Sequence, residues 1–293
     1  MQKLIAPFDP WKSQSCTCPD KYSLNVYTGC AHGCLYCYSS SYIPDFFNPR
    51  PKKHLAERIT KDIETLDKNT PISISNSTDP YQPLEKTFKC TRRCLELLLD
   101  FRKLIVTKSD LITRDIDLLS NTVVAMTITT ISQSLAKITE PFTPPPQKRI
   151  DALKTLNESG IPTIARIDPI IPQLNEDTSE LIEKLAAAGV RHIVSSTYKA
   201  KQDNFKRLCA AFPKNRDIWH ELYTKKGEHL GGATYMPKEA RTQIMKKTKE
   251  QAEERGMTFA TCRENIDLKQ STKTYCDGAH LLTDQKHMQK EKI

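Results

Sequence analysis

Short runs of β-branched and apolar residues alternate along the chain with longer segments of helical periodicity. The six predicted strands span 22–27, 72–76, 104–107, 123–129, 162–167 and 192–196. The predicted helices between them span 51–67, 89–101, 114–120, 147–159 and 178–188. This alternation is typical of βα units that build a parallel sheet. Six units predict a partial barrel, in which ligands bind at the carboxyl ends of the strands.

Composition narrows the class of protein without identifying it. The 293 residues include 38% hydrophobic positions, 44 Lys and Arg, and 35 Asp and Glu, which gives a formal net charge of +9. No apolar run approaches the roughly 18–20 residues of a membrane span, and the first eleven residues lack the apolar core of a secretion signal. The sequence therefore predicts a cytoplasmic globular protein, and it excludes membrane-spanning, collagenous and wholly disordered classes.

Three segments differ in character along the chain. Residues 1–21 form an N-terminal segment with a C-x-C pair, residues 22–235 form the core, and residues 236–293 form a helical C-terminal extension with two Cys. At the end of the core, residues 199–226 contain eight basic and three acidic side chains. This basic segment permits a polyanionic partner.

Ten cysteines in a chain without a secretion signal favour metal binding or catalysis over a disulfide framework. Cys30, Cys34 and Cys37 lie within eight residues, directly after the first predicted strand. A closed zinc site needs four ligands, and this loop offers three thiolates plus His32. An iron–sulfur cluster held by three Cys leaves one iron open to an outside ligand. The spacing therefore favours a catalytic cluster, with a zinc knuckle as the alternative.

The C-x3-C-x2-C spacing, with an aromatic residue before the third Cys, resembles the radical S-adenosylmethionine (SAM) superfamily. Residues 25–34, 78–85 and 196–198 are similar to the spore photoproduct lyase-like group, also called DNA-repair-photolyase-like. The resemblance implies an α/β fold, a partial (β/α)6 TIM barrel with a helical C-terminal extension. It also implies a [4Fe–4S] cluster on the three Cys, which binds SAM and cleaves it reductively to a 5′-deoxyadenosyl radical that abstracts hydrogen from a substrate.

The resemblance also implies roles for residues near the first strands. Tyr36 would pack near the adenine through its backbone. The family's Gly-Gly-Glu motif is absent after the second strand, so Asp79 or the hydroxyls and carbonyls that begin at Ser75 would accept from the SAM ammonium. Lys108, after the third strand, is expected to pair with the SAM carboxylate or with an anionic substrate.

Further candidates follow the later strands. Thr127 would bind the ribose or the methionine moiety, and Glu140 would accept from ribose hydroxyls. Arg166 would hold the SAM carboxylate or, as an equal alternative, form a salt bridge inside the barrel. Residues 169–172 would form a rigid loop near the adenine. Tyr198 faces the expected substrate and is our candidate for radical relay or substrate stacking.

Spore photoproduct lyase uses a Cys outside the cluster motif as its hydrogen-atom donor. The nearest counterparts here are Cys90 and Cys94, which lie four residues apart on a predicted apolar helix. That pattern favours core packing over redox chemistry.

A second group of cysteines comes from the two ends of the chain: Cys16, Cys18, Cys262 and Cys276. None belongs to the predicted barrel. Together they would form a four-thiolate site, for zinc or for an auxiliary cluster, if the C-terminal segment folds back onto the N-terminal one. The alternative is four independent thiols.

These features predict a radical SAM enzyme, a lyase or a transferase, that needs an electron donor of the ferredoxin or flavodoxin type. The substrate we expect is nucleic acid, in repair or modification, without a membrane partner. One alternative is a radical SAM enzyme that acts on a protein or a small molecule. A more remote alternative is a zinc-containing nucleic-acid-binding module.

Overall fold

A computed structural model describes residues 3–8, 15–268 and 274–282. The strands in these ranges are β1 (Ala6–Pro7), β2 (Tyr22–Leu24), β3 (Tyr27–Thr28), β4 (Arg50–Pro51), β5 (Ile72–Ile74), β6 (Lys103–Thr107), β7 (Thr122–Thr127), β8 (Thr163–Ile170), β9 (His192–Thr197), β10 (Glu228–Leu230), β11 (Ala233–Tyr235) and β12 (Thr258–Thr261). Eight of them form one sheet in the order β1-β2-β5-β6-β7-β8-β9-β12. The other four form two small antiparallel pairs, β3 with β4 and β10 with β11.

Helices connect the strands of the main sheet. They are α1 (Leu55–Ile63), α2 (Glu85–Phe88), α3 (Cys90–Leu97), α4 (Gln133–Thr139), α5 (Pro146–Glu158), α6 (Ser179–Ala187), α7 (Gln202–Ala211), α8 (Arg216–Trp219) and α9 (Lys238–Glu253). The predicted helix at 114–120 forms instead as a 3-10 helix, Asp110–Leu118, with a kink at Asp115. Within the described residues, no helix combines the length and the apolar character needed to cross a membrane.

The parallel arrangement predicted from the alternation is confirmed. From β2 to β9 and on to β12, every neighbouring pair in the main sheet is parallel, and only β1 joins an edge in the antiparallel sense. All six predicted strands are present, with ends shifted by a few residues. Within the described chain no pairing joins β1 to β12, so the sheet forms an open, partial barrel.

Both faces of the sheet are buried, as β7 shows most clearly, since all six of its residues are buried. Val124 and Met126 pack with the surrounding helices in the larger core. Val123 and Ala125 point the opposite way and pack with Leu104 and other inward-facing residues in a separate inner core. Because side chains alternate along a strand, one apolar run supplies both cores.

The C-terminal segment corrects the expectation that residues beyond 235 lie outside the barrel. Helix α9 leads into β12, which pairs in parallel with β9, from Thr258 opposite His192 to Thr261 opposite Ser195. Helix and strand therefore add a further βα unit to the sheet. The sequence signal for this strand is weak because β12 has only four residues, of which Phe259 and Ala260 are fully apolar and face opposite cores.

The described part of the tail, residues 274–282, lies inside the barrel. Cys276 is 4% exposed and packs in the inner core with Val123 and Ile164. Gly278 has a φ of +78°, and a Cβ at this position would lie 3.0 Å from Val123 Cγ1. The close approach of this backbone to the strands is therefore one that glycine permits.

Candidate active site

A cavity of about 570 Å³ opens at the carboxyl ends of the strands. Most of the residues singled out in the sequence lie in its wall: Cys30, Cys34, Tyr36, Cys37, Ser75, Asp79, Lys108, Thr127, Arg166 and Tyr198. The second cysteine group also contributes to the wall, with Cys16, Cys18, Cys262 and Cys276. Glu140 is not among the lining residues. The cavity therefore joins two groups of cysteines that are remote in sequence.

The loop that carries the first three cysteines follows β3 and is held by tight backbone contacts. The Cys30 amide donates a hydrogen bond of 2.8 Å to the carbonyl of Phe46. Gly29 and Gly33 have φ values of +80° and +68°, in the region that favours glycine. A Cβ at Gly29 would collide with that Phe46 carbonyl oxygen, and one at Gly33 would lie 2.9 Å from the Phe142 ring. The two glycines let the loop wrap closely around the thiols.

Helix α7 holds the other side of this loop. Arg207 donates from Nε to the Leu35 carbonyl (3.1 Å) and from Nη2 to the Cys37 carbonyl (3.2 Å). Asn204 donates from Nδ2 to the Tyr36 carbonyl (3.1 Å). Three consecutive carbonyls of the loop are thus held by two side chains of the basic segment. Arg207 has a positioning role that its place in a run of positive charges does not indicate.

Burial raises the pKa of all three thiols in the loop. The pKa of Cys34 rises to about 12, although the Lys108 ammonium lowers it in part. The pKa of Cys30 lies well above its ordinary value, and that of Cys37 is also raised. A bare thiol in this position stays protonated at neutral pH. A bound metal would supply the positive charge that three thiolates require.

Lys108 directs its ammonium toward the cysteine loop. Its Nζ lies 5.6 Å from the centroid of the Tyr36 ring. Its charge acts on Cys34 and Cys37, whose pKa values it lowers against the larger effect of burial. The backbone of Lys108 is fixed because its amide donates to Asp79 Oδ2 at 2.7 Å. This places a cation on the cavity wall beside the three thiols.

Asp79 is a buried junction between the cysteine loop and the sheet. Its Oδ1 accepts from Thr107 Oγ1 (2.7 Å) and from the Tyr81 amide (2.8 Å). Its Oδ2 accepts from the Lys108 amide and lies 3.2 Å from Nε2 of His32. Burial would raise the pKa of Asp79, but His32 and the hydrogen bonds lower it. The contacts give Asp79 a positioning role; its binding of a SAM ammonium stays a prediction.

Glu140 lies behind the cavity wall in a buried ion pair, and its contact with a ribose stays a prediction. Its Oε2 is 2.6 Å from Arg149 Nη2, and both side chains are at most 1% exposed. Its Oε1 accepts from the hydroxyls of Tyr36 and Thr129. Burial alone would raise the pKa of Glu140, but Arg149 and then Lys108 hold it at about 2. The carboxylate therefore fastens Tyr36 to the sheet.

Two hydroxyl side chains, Ser75 and Thr127, line the cavity at strand ends, and their binding of SAM stays a prediction. Ser75 follows β5 with a φ of +67°, and its buried Oγ has no hydrogen-bond partner among the described residues. Thr127 ends β7 and is 3% exposed. A buried hydroxyl without a partner is rare and is expected to be satisfied by a bound group. Ser75 is accordingly the polar group here that most clearly calls for a ligand.

Arg166 forms the salt bridge that the sequence left as an alternative to SAM binding. Its Nη2 lies 2.5 Å from Asp168 Oδ2, and its Nη1 donates to the carbonyl of Cys276 at 3.0 Å. Asp168 also accepts from Ser196 Oγ at 2.5 Å. These contacts connect Arg166 to the second cysteine group and to the inside of the barrel.

Sequence reasoning missed a second buried charge network on the same wall. Lys199 Nζ donates to Ser196 Oγ (2.7 Å) and lies 3.9 Å from Glu264 Oε1, which accepts from the Thr197 amide at 2.6 Å. Burial would raise the pKa of Asp168, but Lys199 and Arg166 lower it to about 2. The available signal was Asp168, which follows Arg166 two residues along β8 on the same face. Lys199 was concealed within the basic segment.

Tyr198 lines the cavity but is 2% exposed. Its hydroxyl donates to Asn204 Oδ1 at 2.5 Å, and its ring meets Tyr223 edge to face at a centroid distance of 5.4 Å. Through Asn204 it is linked to the carbonyl of Tyr36 in the cysteine loop. Its role in radical relay or stacking stays a prediction.

Cys90 and Cys94 occupy helix α3, away from the cavity wall. Cys94 is fully buried in the larger core, and Cys90 packs at its margin. Their positions agree with core packing, which the sequence pattern favoured over a hydrogen-donor role.

The second cysteine group is brought together by the fold. Cys18 Sγ lies 3.4 Å from Cys276 Sγ. Cys262 packs with both of them in the inner core, and Cys16 lines the same cavity. The fold therefore gathers the four thiols in one region. Across the described ranges, no three Cys, His, Asp or Glu side chains already surround one point as the ligands of a single ion.

Two relatives identified by sequence match half of this chain or more. An uncharacterized protein of Methanocaldococcus jannaschii is 41% identical over 162 residues, which are 53% of this chain and 62% of that protein. A radical SAM Nalpha-GlyT isomerase of Pseudomonas phage M6 is 24% identical over 250 residues, which are 80% of this chain and 52% of that enzyme. The chain thus spans less than two thirds of the length of these curated relatives.

Solved structures share the fold. Spore photoproduct lyase complexed with dinucleoside spore photoproduct superposes with a TM-score of 0.64, at 17% identity, over 86% of this chain and 80% of that one. The sequence profile described as the radical SAM superfamily matches residues 24–185, more than half of the 293 residues. The chain therefore belongs to the radical SAM superfamily, and it is an enzyme.

Proposed function

We propose that Cys30, Cys34 and Cys37 bind a [4Fe–4S] cluster and that the enzyme uses it to cleave SAM reductively and act on a nucleic-acid substrate. One observation carries the first part: a single loop presents two buried thiols and one half-buried thiol to a cavity and contains no fourth cysteine. Three thiolates leave one iron of such a cluster open to SAM.

The side chains around the loop fit these groups. The Lys108 ammonium faces the loop and suits a carboxylate, and the unpartnered Ser75 hydroxyl suits a polar ligand. The buried thiols need a metal to carry charge at neutral pH. When bound, the cluster and SAM supply a 5′-deoxyadenosyl radical that abstracts a hydrogen atom from the substrate.

Each residue then has a definite task. Lys108 pairs with the SAM carboxylate, and Ser75 accepts from the SAM ammonium. Thr127 presents its hydroxyl to the ribose or to the methionine moiety. Tyr36, held by Glu140, keeps the loop backbone in place beside the adenine. An external donor of the ferredoxin or flavodoxin type supplies the electron.

Exposed aromatic side chains with cations beside them support nucleic acid as the substrate. Tyr42 and Phe47 are 38% and 44% exposed and follow the cysteine loop in sequence. Lys201 Nζ lies 5.9 Å from the Tyr42 ring, and the Arg207 guanidinium lies 5.2 Å from the Phe47 ring. Exposed rings stack on bases, and cations beside them attract phosphates. The basic segment has few clustered aromatics of its own, and the cysteine loop region supplies them.

The comparison structures support the same substrate class. Spore photoproduct lyase has been solved with a dinucleoside photoproduct in place, and we extend the class of nucleoside-containing substrates to this chain. A protein or a small molecule as substrate is the alternative that the experiments below distinguish.

The first test is SAM cleavage by anaerobically reconstituted protein. With dithionite we expect a brown protein that releases 5′-deoxyadenosine, whereas the Cys34→Ala variant releases none above background. Cys209→Ser is the matched control, because Cys209 lies on α7 outside the cavity wall. A colourless wild-type protein that releases no 5′-deoxyadenosine would overturn the proposal.

The second test is salt-dependent binding of single-stranded DNA and RNA. We expect Tyr42→Ala and Phe47→Ala to weaken binding roughly tenfold each, since a stacked base contributes about 1–3 kcal/mol. Phe88→Ala is the matched control, because Phe88 is 52% exposed on α2, apart from the cavity wall. If the wild type binds neither nucleic acid but cleaves SAM, the substrate is a protein or a small molecule.

A further inference from the structure

The second cysteine group combines four thiols from three distant stretches of chain. Cys16 and Cys18 precede β2, Cys262 directly follows β12, and Cys276 belongs to the tail inside the barrel. The Cys262 amide donates to the Ser195 carbonyl at 2.9 Å, so this ligand is fixed to the sheet. All four line one cavity, Cys18, Cys262 and Cys276 pack in one apolar cluster, and all are free of disulfide bonds.

Two cations lie beside this group. Lys21 is 5% exposed and forms a 2.6 Å salt bridge with Asp277, the residue after Cys276. The side chain of Arg166 is 12% exposed; it pairs with Asp168 and donates to the Cys276 carbonyl at 3.0 Å. Thiolate ligands of a metal are commonly surrounded by donors that orient them and offset their charge.

We propose that Cys16, Cys18, Cys262 and Cys276 bind one Zn²⁺ ion tetrahedrally and that this ion holds the C-terminal tail inside the barrel. The site is closed by four protein ligands and has a structural role. It is independent of the proposed function, because it shares no ligand with the first cysteine group and requires no SAM chemistry.

The one sulfur–sulfur distance fits two thiolates on one metal ion. Tetrahedral zinc with bonds of about 2.3 Å places its sulfur ligands about 3.8 Å apart. The 3.4 Å between Cys18 and Cys276 differs from this by a few tenths of an ångström. In a four-iron cluster each thiolate binds a different iron, so two ligand sulfurs are not in contact. A two-iron cluster also places two thiolates on each iron, so metal analysis distinguishes it from zinc.

The test uses a variant without the first cysteine group, Cys30→Ala, Cys34→Ala and Cys37→Ala together. We expect this variant and the wild type each to contain one zinc per chain by elemental analysis and native mass spectrometry. Co²⁺ added to zinc-stripped protein should give thiolate-to-cobalt charge-transfer bands and the visible bands of tetrahedral cobalt. Cys276→Ser should lose the zinc and unfold at a lower temperature, while Cys209→Ser should retain both.

Three results would overturn the inference. They are wild-type protein without zinc, iron instead of zinc in the variant that lacks the first group, and equal loss of zinc in Cys209→Ser. Chelation of wild-type protein adds a measurement that needs no substitution: removal of zinc should lower the unfolding temperature. If the zinc is present and SAM cleavage is absent, the inference stands and the proposed function fails; the reverse result separates them equally well.

Discussion

The two cysteine groups share one cavity and differ in how the chain builds them. Cys30, Cys34 and Cys37 come from one loop of eight residues, held by glycines and by side chains of α7. The ligands of the second group are as far apart as Cys18 and Cys276, 258 residues along the chain. The first group is assembled locally, and the second depends on the whole fold.

The number of ligands follows from this difference. A loop that supplies three thiolates leaves a coordination position open, which is the arrangement of a catalytic centre. A set of four thiolates from three segments closes its coordination sphere and joins those segments. One cavity therefore contains a proposed reactive centre and a proposed structural one.

The largest expected effect comes from substituting one cysteine in each group and comparing the two variants in the same assays. Cys34→Ala should abolish SAM cleavage and leave the zinc content and the unfolding temperature near those of the wild type. Cys276→Ser should remove the zinc and lower the unfolding temperature. Elemental analysis, 5′-deoxyadenosine release and thermal unfolding of both variants measure this. If either substitution removes both metals, the two groups are one site, and the division into a catalytic and a structural group is wrong.

The next prediction concerns the buried ion pair of Glu140 with Arg149, which lies behind the first cysteine group. Arg149→Met should destabilise the fold by about 3–5 kcal/mol, because it leaves the buried Glu140 carboxylate without its charged partner. Urea unfolding measures this, and Lys154→Met is the control, since its ion pair with Glu158 is exposed. An equal, small effect of both substitutions would show that Glu140 is not held by this pair.

Low pH should weaken the same ion pair, because it protonates the Glu140 carboxylate. The pKa of Glu140 is held at about 2 in the fold, against an ordinary value of 4.5. Its stabilising contribution is therefore complete above pH 4.5 and is lost as the pH falls toward 2, by an amount on the order of 3 kcal/mol. In Glu140→Gln the unfolding free energy should fall less steeply over this range. Parallel pH profiles for the two proteins would contradict the prediction.

A comparison of two glycine substitutions tests whether the first group depends on the close packing of its own loop. Gly29→Ala should reduce the iron bound per chain and cost more than the roughly 1–2 kcal/mol of a left-handed backbone alone, because the new Cβ collides with the Phe46 carbonyl. Gly160→Ala is the control: its φ is +74° and a Cβ there meets no atom within 4 Å. Gly160→Ala should lose only the stability that the left-handed backbone costs, and its iron content should equal that of the wild type.

The smallest effect concerns one charge beside the cluster loop. Lys108→Met should raise the KM for SAM roughly tenfold, since a hydrogen bond to a charged group is worth about 1.5–3 kcal/mol. Lys108→Arg should retain part of the affinity because it keeps the positive charge. SAM-dependence of 5′-deoxyadenosine release gives both values. An unchanged KM in Lys108→Met would remove this residue from the SAM site.

Features built from a short stretch of chain could be predicted from the sequence, whereas features that depend on the whole fold could not. The strands and the first cysteine group are encoded in short stretches, as alternating apolar runs and as the spacing of Cys30, Cys34 and Cys37. The ion pair of Glu140 with Arg149 and the four contacts of Asp79 depend on neighbours that only the folded chain supplies. Composition even misled at Lys199, which belongs to a basic run and is buried in the barrel.

Strand β7 shows why the filling of the inner core could not be predicted. An apolar run such as Val123 to Met126 indicates burial on both faces but gives no sign of what fills the inner one. The tail that fills it, including Leu281 and Leu282, lies far along the chain. Only Cys276 marked that segment, through the prospect of a second thiolate site.

The tail inside the barrel has a consequence for how the chain is made. The ribosome releases Cys16 and Cys18 early, while Cys262 and Cys276 emerge after β9 has been synthesised. Until the tail has been synthesised, the strands lack the residues that cover Val123 and Ile164. A chain that stopped short of Cys276 would leave these apolar side chains uncovered.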